Sequence, residues 1–243
     1  INKQFHAFFN DKTKVVYSLY IRIDDANFDD SGPVPGEPNV LKPKRTQEKM
    51  DYYYDQLIAD KKRYAESIGA EFIMFERDKM YEDFLKKYSN MSEYDTINLY
   101  KIFLLEKLAD KYDLVLYLDF DVYCRRDIDI FNTINCTNFL RCNYNTTSDL
   151  NINNTLLYFS TFDKDFRNPE SKYWNTYALL TECDLDVSEA QVFNTGIIAA
   201  SSDMIKSLDF FGDLEDVVEM MTELKEDEAS MYPHQIQKAF GYD

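Results

Sequence analysis

The chain has little glycine, cysteine, histidine and tryptophan, with 6, 4, 2 and 1 residues of each among 243. No glycine-rich phosphate-binding loop occurs near the N-terminus, which argues against a nucleotidyltransferase. The four cysteines form no Cys-x-x-Cys pair, and the chain has only two histidines. Structural zinc sites draw their four ligands from Cys and His, so this composition argues against one. We therefore expect the cysteines to be buried or half-buried thiols without a metal.

Long apolar runs are also lacking. No stretch approaches the roughly 18 apolar residues of a membrane-spanning helix, and the first residues show no secretory signal pattern. We expect no membrane span in this segment and favour a cytoplasmic location. A Golgi-type lumenal domain is the alternative if an N-terminal anchor has been removed.

Positive charge is scarce relative to negative charge. The chain has 27 Lys and Arg against 44 Asp and Glu, a formal net charge of −17. Such a surface repels a phosphate backbone, so we expect no nucleic-acid partner, and a small phosphorylated ligand would need cations beside it. Apolar residues make up 45% of the chain and aromatic residues 16%, which excludes a disordered chain. The length of 243 residues suits one large α/β domain or at most two small ones, and we predict one domain over residues 1–243.

Strand and helix patterns alternate along the first half of the chain. Strands are predicted at 15–21, 71–75 and 114–118, and helices at 46–67, ending before Gly69, and from Ser92 to about 108. The four prolines of 24–45 predict a long loop without strand or helix. Further strands are predicted within 138–162 and at 192–200, the latter interrupted at 194–196, and further helices at 170–180, 203–224 and 227–240. This order favours a mixed, mostly parallel sheet flanked by helices, with ligands beyond the carboxyl ends of its strands.

Asp119-Phe120-Asp121 directly follows the apolar run 114–118. Four Asp-x-Asp triplets occur, about as many as chance predicts in a chain this rich in aspartate, and only this triplet follows a buried strand. In extended chain the two carboxylates would lie on one side, about 6–7 Å apart. Two such oxygen donors suit Mg²⁺ or Mn²⁺ together with the phosphate oxygens of a substrate. The alternative is a solvated acidic turn.

The segment 99–122, with Lys101 in a helix before the strand and the Asp-x-Asp triplet, resembles the centre of GT-A type glycosyltransferases. Residues 193–197, Phe-Asn-Thr-Gly-Ile, are similar to the Asn-x-Gly strand of those enzymes, and residues 227–229, Asp-Glu-Ala, to the acidic start of a later helix. The resemblance covers most of 15–240 and is specific in the middle third. The glycogenin-like and yeast mannosyltransferase-like branches are nearest.

The resemblance implies a Rossmann-like GT-A fold and the transfer of a hexose from a UDP- or GDP-linked sugar. The acceptor would be a hydroxyl of a glycan or a protein, and the cofactor Mn²⁺ or Mg²⁺. Asp121 would ligate the metal directly, while Asp119 would contact metal-bound water or the ribose. Lys101 would face the phosphates, unless it is an exposed helix lysine.

The same resemblance assigns roles at the ends of two other strands. Tyr20, Arg22 and Asp24 would line the base and ribose, with Tyr20 either a stacking surface or a core residue. Asn194 and Gly196 would lie against the sugar, since glycine permits close approach of the backbone, with a simple turn glycine as the alternative. The proline-rich segment 24–45 would be a lid or part of the acceptor site.

Asp227 and Glu228, together with Asn194, are the catalytic candidates that the resemblance implies. The two acids would bind sugar hydroxyls or act in catalysis, although acids at a helix start also stabilise the helix without a catalytic role. Many relatives complete the metal site near the C-terminus, in a segment with Gly and Lys that this chain lacks. His234 is the remaining candidate ligand, with a helix histidine as the alternative.

Two other functions stay open at this point. A haloacid-dehalogenase-like phosphatase also places Asp-x-Asp after an apolar strand, but its motif continues to Thr or Val where this chain has Tyr123, and it usually lies near the N-terminus. A catalytically inert module that binds a sugar or a nucleotide is the second alternative. Release of phosphate would identify the first, and nucleotide binding without turnover the second.

Overall fold

The computed structural model describes residues 12–24, 33–34, 37–89, 91, 93–136, 141–144, 193–212 and 214–216. The chain divides into two compact units, one of 1–142 with 195–208 and the other of 143–194 with 209–243. The described residues of the second unit include a turn at 209–212, in which the Gly212 N–H donates to the Asp209 carbonyl at 3.0 Å.

The central element is a mixed sheet. The strands in chain order are β1 (Lys14–Leu19), β2 (Pro33–Val34), β3 (Glu37–Leu41), β4 (Glu71–Phe75), β5 (Leu114–Leu118), β6 (Arg141–Tyr144) and β7 (Phe193–Ser201). The main sheet has the order β4-β1-β5-β7-β6, and β2 pairs with β3 separately. Strand β1 is parallel to β4 and to β5, whereas β7 is antiparallel to β5. The predicted α/β class is confirmed. The predicted parallel character holds for β4-β1-β5 and not for the β5-β7 pair.

Helices flank this sheet. Those with bounds in the described part of the chain are α1 (Lys42–Tyr52), α2 (Tyr54–Ser67), α3 (Lys79–Lys87), α4 (Glu93–Ala109), α5 (Ile130–Thr133) and α6 (Ser202–Leu208). The prediction of one helix over 46–67 was wrong, because Tyr53 leaves helical geometry and separates α1 from α2. Helix α3 was not predicted, although Asp78 caps it by accepting from the Tyr81 N–H at 2.8 Å. Of the helices in the described chain, none is both long and apolar enough to cross a membrane.

In its described residues, the proline-rich segment 24–45 is not the continuous loop that its composition predicts. Pro33 is the first residue of β2, a position where a strand tolerates the missing N–H. Pro43 is the second residue of α1, where no intrahelical partner for its N–H would exist. The segment therefore contains a two-stranded ribbon and a helix start, because each of these prolines sits where its missing donor costs little.

Strand β5 is buried on both faces, as its continuous apolar run predicts. On one face Leu116 and Val16 pack with Tyr64 of α2. On the other face the Tyr17 ring lies 5.0 Å from the Tyr117 ring, and the Tyr17 hydroxyl donates to the Lys101 carbonyl at 2.6 Å. Helices α2 and α4 thus cover opposite faces of the sheet and approach its edge at the carboxyl end of β5.

The remaining elements differ from their predicted extents. Strand β1 ends at Leu19 rather than at residue 21, and β7 runs without interruption through residues 194–196. Helix α6 stops at Leu208, because Asp209 adopts a positive φ of 42°, so the prediction of helix over 203–224 was wrong in its extent. Strand β6 lies within the predicted 138–162 region. The predicted helices at 170–180 and 227–240, and the Ser92 cap, lie outside the described residues.

Candidate functional site

The two candidate aspartates lie in a tight turn at the carboxyl end of β5. The Val122 N–H donates to the Asp119 carbonyl at 3.0 Å, which closes a four-residue turn over residues 119–122, named here the carboxylate turn. The expectation of an extended Asp-x-Asp segment was therefore wrong. Aspartate is favoured at the first position of such turns, and Asp119 occupies it.

Asp119 is held by both its backbone and its side chain. Its N–H donates to the Gly196 carbonyl of β7 at 2.7 Å, and its Oδ1 accepts from the Tyr117 hydroxyl at 2.6 Å. Burial raises the pKa of Asp119, while the Tyr117 hydrogen bond and the Lys101 ammonium act in the opposite direction. Burial and the nearby Asp119 charge raise the pKa of Tyr117 well above its ordinary value, so Tyr117 is the proton donor in this pair.

Asp121 has a different environment from Asp119. Its side chain is exposed, and no group among the described residues donates a hydrogen bond to its carboxylate. The exposed Asp121 and the half-buried Asp119 offer hard oxygen donors just beyond the carboxyl end of β5. These donors suit Mg²⁺ or Mn²⁺.

Lys101 of α4 points its ammonium toward this edge of the sheet. It is only 6% exposed, and its Nζ donates to Thr195 Oγ1 at 2.6 Å and lies 5.6 Å from the Tyr117 ring centroid. The alternative of an exposed helix lysine was therefore wrong. Burial raises the pKa of Asp119, and the Lys101 ammonium, held at Thr195, partly offsets that effect.

Tyr20 follows β1 and is a core residue, the alternative that the sequence left open. Its ring stacks on Phe120 at 4.5 Å with an interplanar angle of 10°, and its hydroxyl donates to Asp51 Oδ1 at 2.7 Å. Arg22 pairs with the same Asp51 at 3.0 Å and stays exposed, as does Asp24. The stacking face predicted for a nucleotide base is thus occupied by Phe120, the residue between the two aspartates.

Sequence reasoning missed Lys61, which is completely buried in α2. Its Nζ donates to the Phe120 carbonyl at 2.6 Å and to the Val122 carbonyl at 2.7 Å. Burial lowers the pKa of Lys61, and nearby carboxylates partly offset this effect. The sequence does contain a signal for it, because Lys61 lies on the apolar face of an amphipathic helix, three residues before Tyr64. Burying a charge is costly without partners, so a lysine at such a position indicates specific hydrogen bonds.

The other candidates fall into two groups. Gly196 is buried in β7, and its carbonyl accepts from the Asp119 N–H. Asn194 lies in β7 by its backbone, and its side chain is outside the described set. Asp227, Glu228 and His234 lie outside the described residues. Their proposed roles stay predictions.

Among the described residues, no cluster of three or more His, Cys, Asp or Glu side chains could hold a metal ion. Comparison with protein-family models, curated proteins and solved structures gives no match for this chain.

Proposed function

We propose that the chain is the catalytic domain of a metal-dependent glycosyltransferase of the GT-A type. It would move a hexose from a nucleoside-diphosphate sugar to a hydroxyl of a glycan or a protein. The observation that carries the proposal is the carboxylate turn at the end of β5, with the buried Lys101 ammonium behind Asp119. This edge of a parallel strand pair is where α/β sheets bind ligands.

Asp119 and Asp121 would hold the Mn²⁺ or Mg²⁺ ion. Their oxygen donors fit a hard cation, and Asp121 presents its carboxylate to solvent rather than to a protein partner in the described part of the chain. When bound, such an ion neutralises charge on a diphosphate leaving group. This requirement agrees with the net charge of −17, since an anionic donor would otherwise meet only repulsion at an acidic surface.

The residues around the turn would prepare the site for an anionic donor. The Tyr117 hydroxyl fixes the Asp119 side chain, and the Gly196 carbonyl fixes its backbone. The Lys101 ammonium supplies fixed positive charge, which partly offsets the rise that burial causes in the pKa of Asp119. Fixed groups of this kind need little reorganisation when the donor binds.

The test is calorimetric titration of UDP and GDP into the wild-type chain with and without Mn²⁺, followed by assays of UDP-hexose and GDP-hexose turnover. We expect one nucleotide to bind only with Mn²⁺. The Asp121→Ala variant should lose at least about tenfold in nucleotide affinity and should lose turnover. Its free energy of unfolding should change by less than about 0.5 kcal/mol, because the side chain is exposed and unpaired among the described residues.

Asp203→Ala is the matched control, since Asp203 is an exposed aspartate in the first turn of α6. It should bind nucleotide like the wild type. Equal nucleotide affinity and turnover in wild type and Asp121→Ala would refute the proposal. Metal-dependent binding without turnover of any hexose donor would instead support the inert binding module.

A further inference from the structure

The carboxylate turn leaves two backbone carbonyls that need donors. The Phe120 and Val122 carbonyls receive no backbone N–H from the described residues, since the turn is closed through the Asp119 carbonyl. Buried carbonyls without partners are costly, so a donor from elsewhere must reach them. Lys61 reaches both with a single ammonium, at 2.6 and 2.7 Å.

Neighbouring residues of α2 extend this contact along the same loop. Asp60 Oδ2 accepts from the Cys124 N–H at 2.6 Å, and Arg63 donates to the Cys124 carbonyl at 2.7 Å. Arg63 also pairs with Asp60 at 3.0 Å, which ties the two side chains together. These three residues, Asp60, Lys61 and Arg63, form what we name the α2 clamp.

Asp121 lies between the two carbonyls that Lys61 binds. Its own side chain has no partner in the described part of the chain, so the direction of its carboxylate depends on the backbone on either side. Lys61 fixes that backbone at residues 120 and 122. It lies beside the site without being part of the exposed surface, because its side chain is completely buried.

A buried ammonium is unfavourable unless hydrogen bonds compensate for the loss of its hydration. A methionine of similar length would fill the same volume without that cost. Methionine would not supply the two donors. The chemistry that distinguishes lysine at this position is therefore its bonds to the carboxylate turn.

We infer that Lys61 is a positioning residue for the metal and diphosphate site. It holds the backbone on either side of Asp121, and so fixes the position from which Asp121 would bind the cation together with Asp119. This inference rests on the proposed function for its metal-binding part. Its structural part, that Lys61 orders residues 119–124, stands independently and is measured separately.

The experiment compares Lys61→Met with Lys62→Met, a control on the adjacent and exposed lysine of the same helix. Hydrogen exchange resolved by peptide reports the order of residues 119–124. Mn²⁺ is titrated in the presence of UDP, and the loss of the electron paramagnetic resonance signal of the free ion reports the Mn²⁺ affinity. In Lys61→Met we expect about tenfold faster exchange in this segment and about tenfold weaker Mn²⁺ binding, the loss typical of residues that orient a ligand. Lys62→Met should match the wild type in both measurements.

The two readouts separate the possible failures. Unchanged exchange at 119–124 in Lys61→Met would overturn the inference outright. Faster exchange in Lys61→Met with wild-type Mn²⁺ affinity would show that Lys61 orders the turn without affecting the metal, and this result would also overturn the inference that Lys61 is a positioning residue. If the wild type itself binds no Mn²⁺, the proposed function and the metal-binding part fall together, and the exchange measurement still decides the structural part. Should Lys61→Met fail to fold, Lys61→Gln, with a shorter and neutral donor, must show the same two losses in smaller measure.

Discussion

At the scale of single residues, the structure places two lysines beside the carboxylate turn and buries both. Lys61 is 0% exposed and Lys101 is 6% exposed, although lysine is among the residues least often found in protein interiors. Each ammonium has polar acceptors within hydrogen-bond distance, which offsets the cost of removing its charge from water. Two fixed cations beside two carboxylates also reduce the mutual repulsion of those carboxylates.

Cys124 gives a residue-scale prediction that depends on pH. Burial, with the nearby Asp60 carboxylate, raises the pKa of the Cys124 thiol to about 11. Because only the thiolate is alkylated, a raised pKa leaves less reactive species at any pH below it. At about pH 8, iodoacetamide should modify Cys124 roughly a hundredfold more slowly in the native chain than in the chain unfolded by urea.

The rate of Cys124 alkylation should rise only as the pH approaches that raised pKa, as followed by mass mapping of the modified peptide. The unfolded chain is the internal control, since its thiol has the ordinary pKa. Rapid modification of native Cys124 near neutral pH would show that the α2 clamp does not shield the thiol.

Part of this site could be predicted from single residues and part could not. The place of Asp119 and Asp121 follows from the apolar run before them, because a buried strand must end where polar side chains begin. Lys61 and its carbonyl acceptors are separated by about sixty residues, and no local pattern encodes such a pairing. The core position of Tyr20 likewise depends on Phe120, which comes from another strand end.

At the scale of elements, the end of α2 is a well-formed helix stop. The Ala70 N–H donates to the Ala65 carbonyl at 2.9 Å and the Gly69 N–H to the Glu66 carbonyl at 3.2 Å, the two bonds of a Schellman motif. Gly69 has φ of 68°, a conformation that favours glycine. This stop directs the chain from α2 into β4 and so sets the helix against the sheet.

The element-scale prediction is that Gly69→Ala destabilises the chain by about 1 kcal/mol, through the left-handed conformation alone. Steric conflict does not contribute, since in the described part of the chain no atom lies within 4 Å of the added Cβ. Urea denaturation should show a lower midpoint with an unchanged slope. Gly69→Asn is the matched control and should lose less, because asparagine adopts this conformation more readily. Equal stability of wild type and Gly69→Ala would contradict the assigned backbone geometry.

Elements with strong local signals were predicted with nearly correct bounds. Strands β4 and β5 were predicted over the residues they occupy, and the stop at Gly69 is confirmed. The break at Tyr53 was missed because no proline or glycine marks it, and β2 and β3 were missed because prolines suit strand edges as well as loops. The antiparallel direction of β7 depends on the path by which the chain returns to the sheet. The residues of the strand itself do not encode that path.

At the scale of the whole molecule, charge balance limits what surface ion pairs can do. Even if all 27 Lys and Arg residues were paired, 44 minus 27 leaves 17 carboxylates without a cation. Exposed pairs such as Arg22–Asp51 contribute about 0–1 kcal/mol each, and salt weakens them. The excess negative charge repels itself throughout the compact state, and salt weakens this repulsion too.

The whole-molecule prediction is that added NaCl stabilises the folded chain. The Debye length falls from about 30 Å at about 0.01 M salt to about 3 Å at about 1 M, which screens the long-range repulsion among unpaired carboxylates. We expect a gain on the order of 1 kcal/mol, which in a chain of this size raises the melting temperature by about 2–4 °C. A fall in melting temperature with NaCl would mean that favourable ion pairs outweigh the net charge. Mn²⁺ at matched ionic strength should add a further increase by binding the native state, and this increment alone should disappear in Asp121→Ala, because screening acts on every carboxylate whereas the proposed site requires this one.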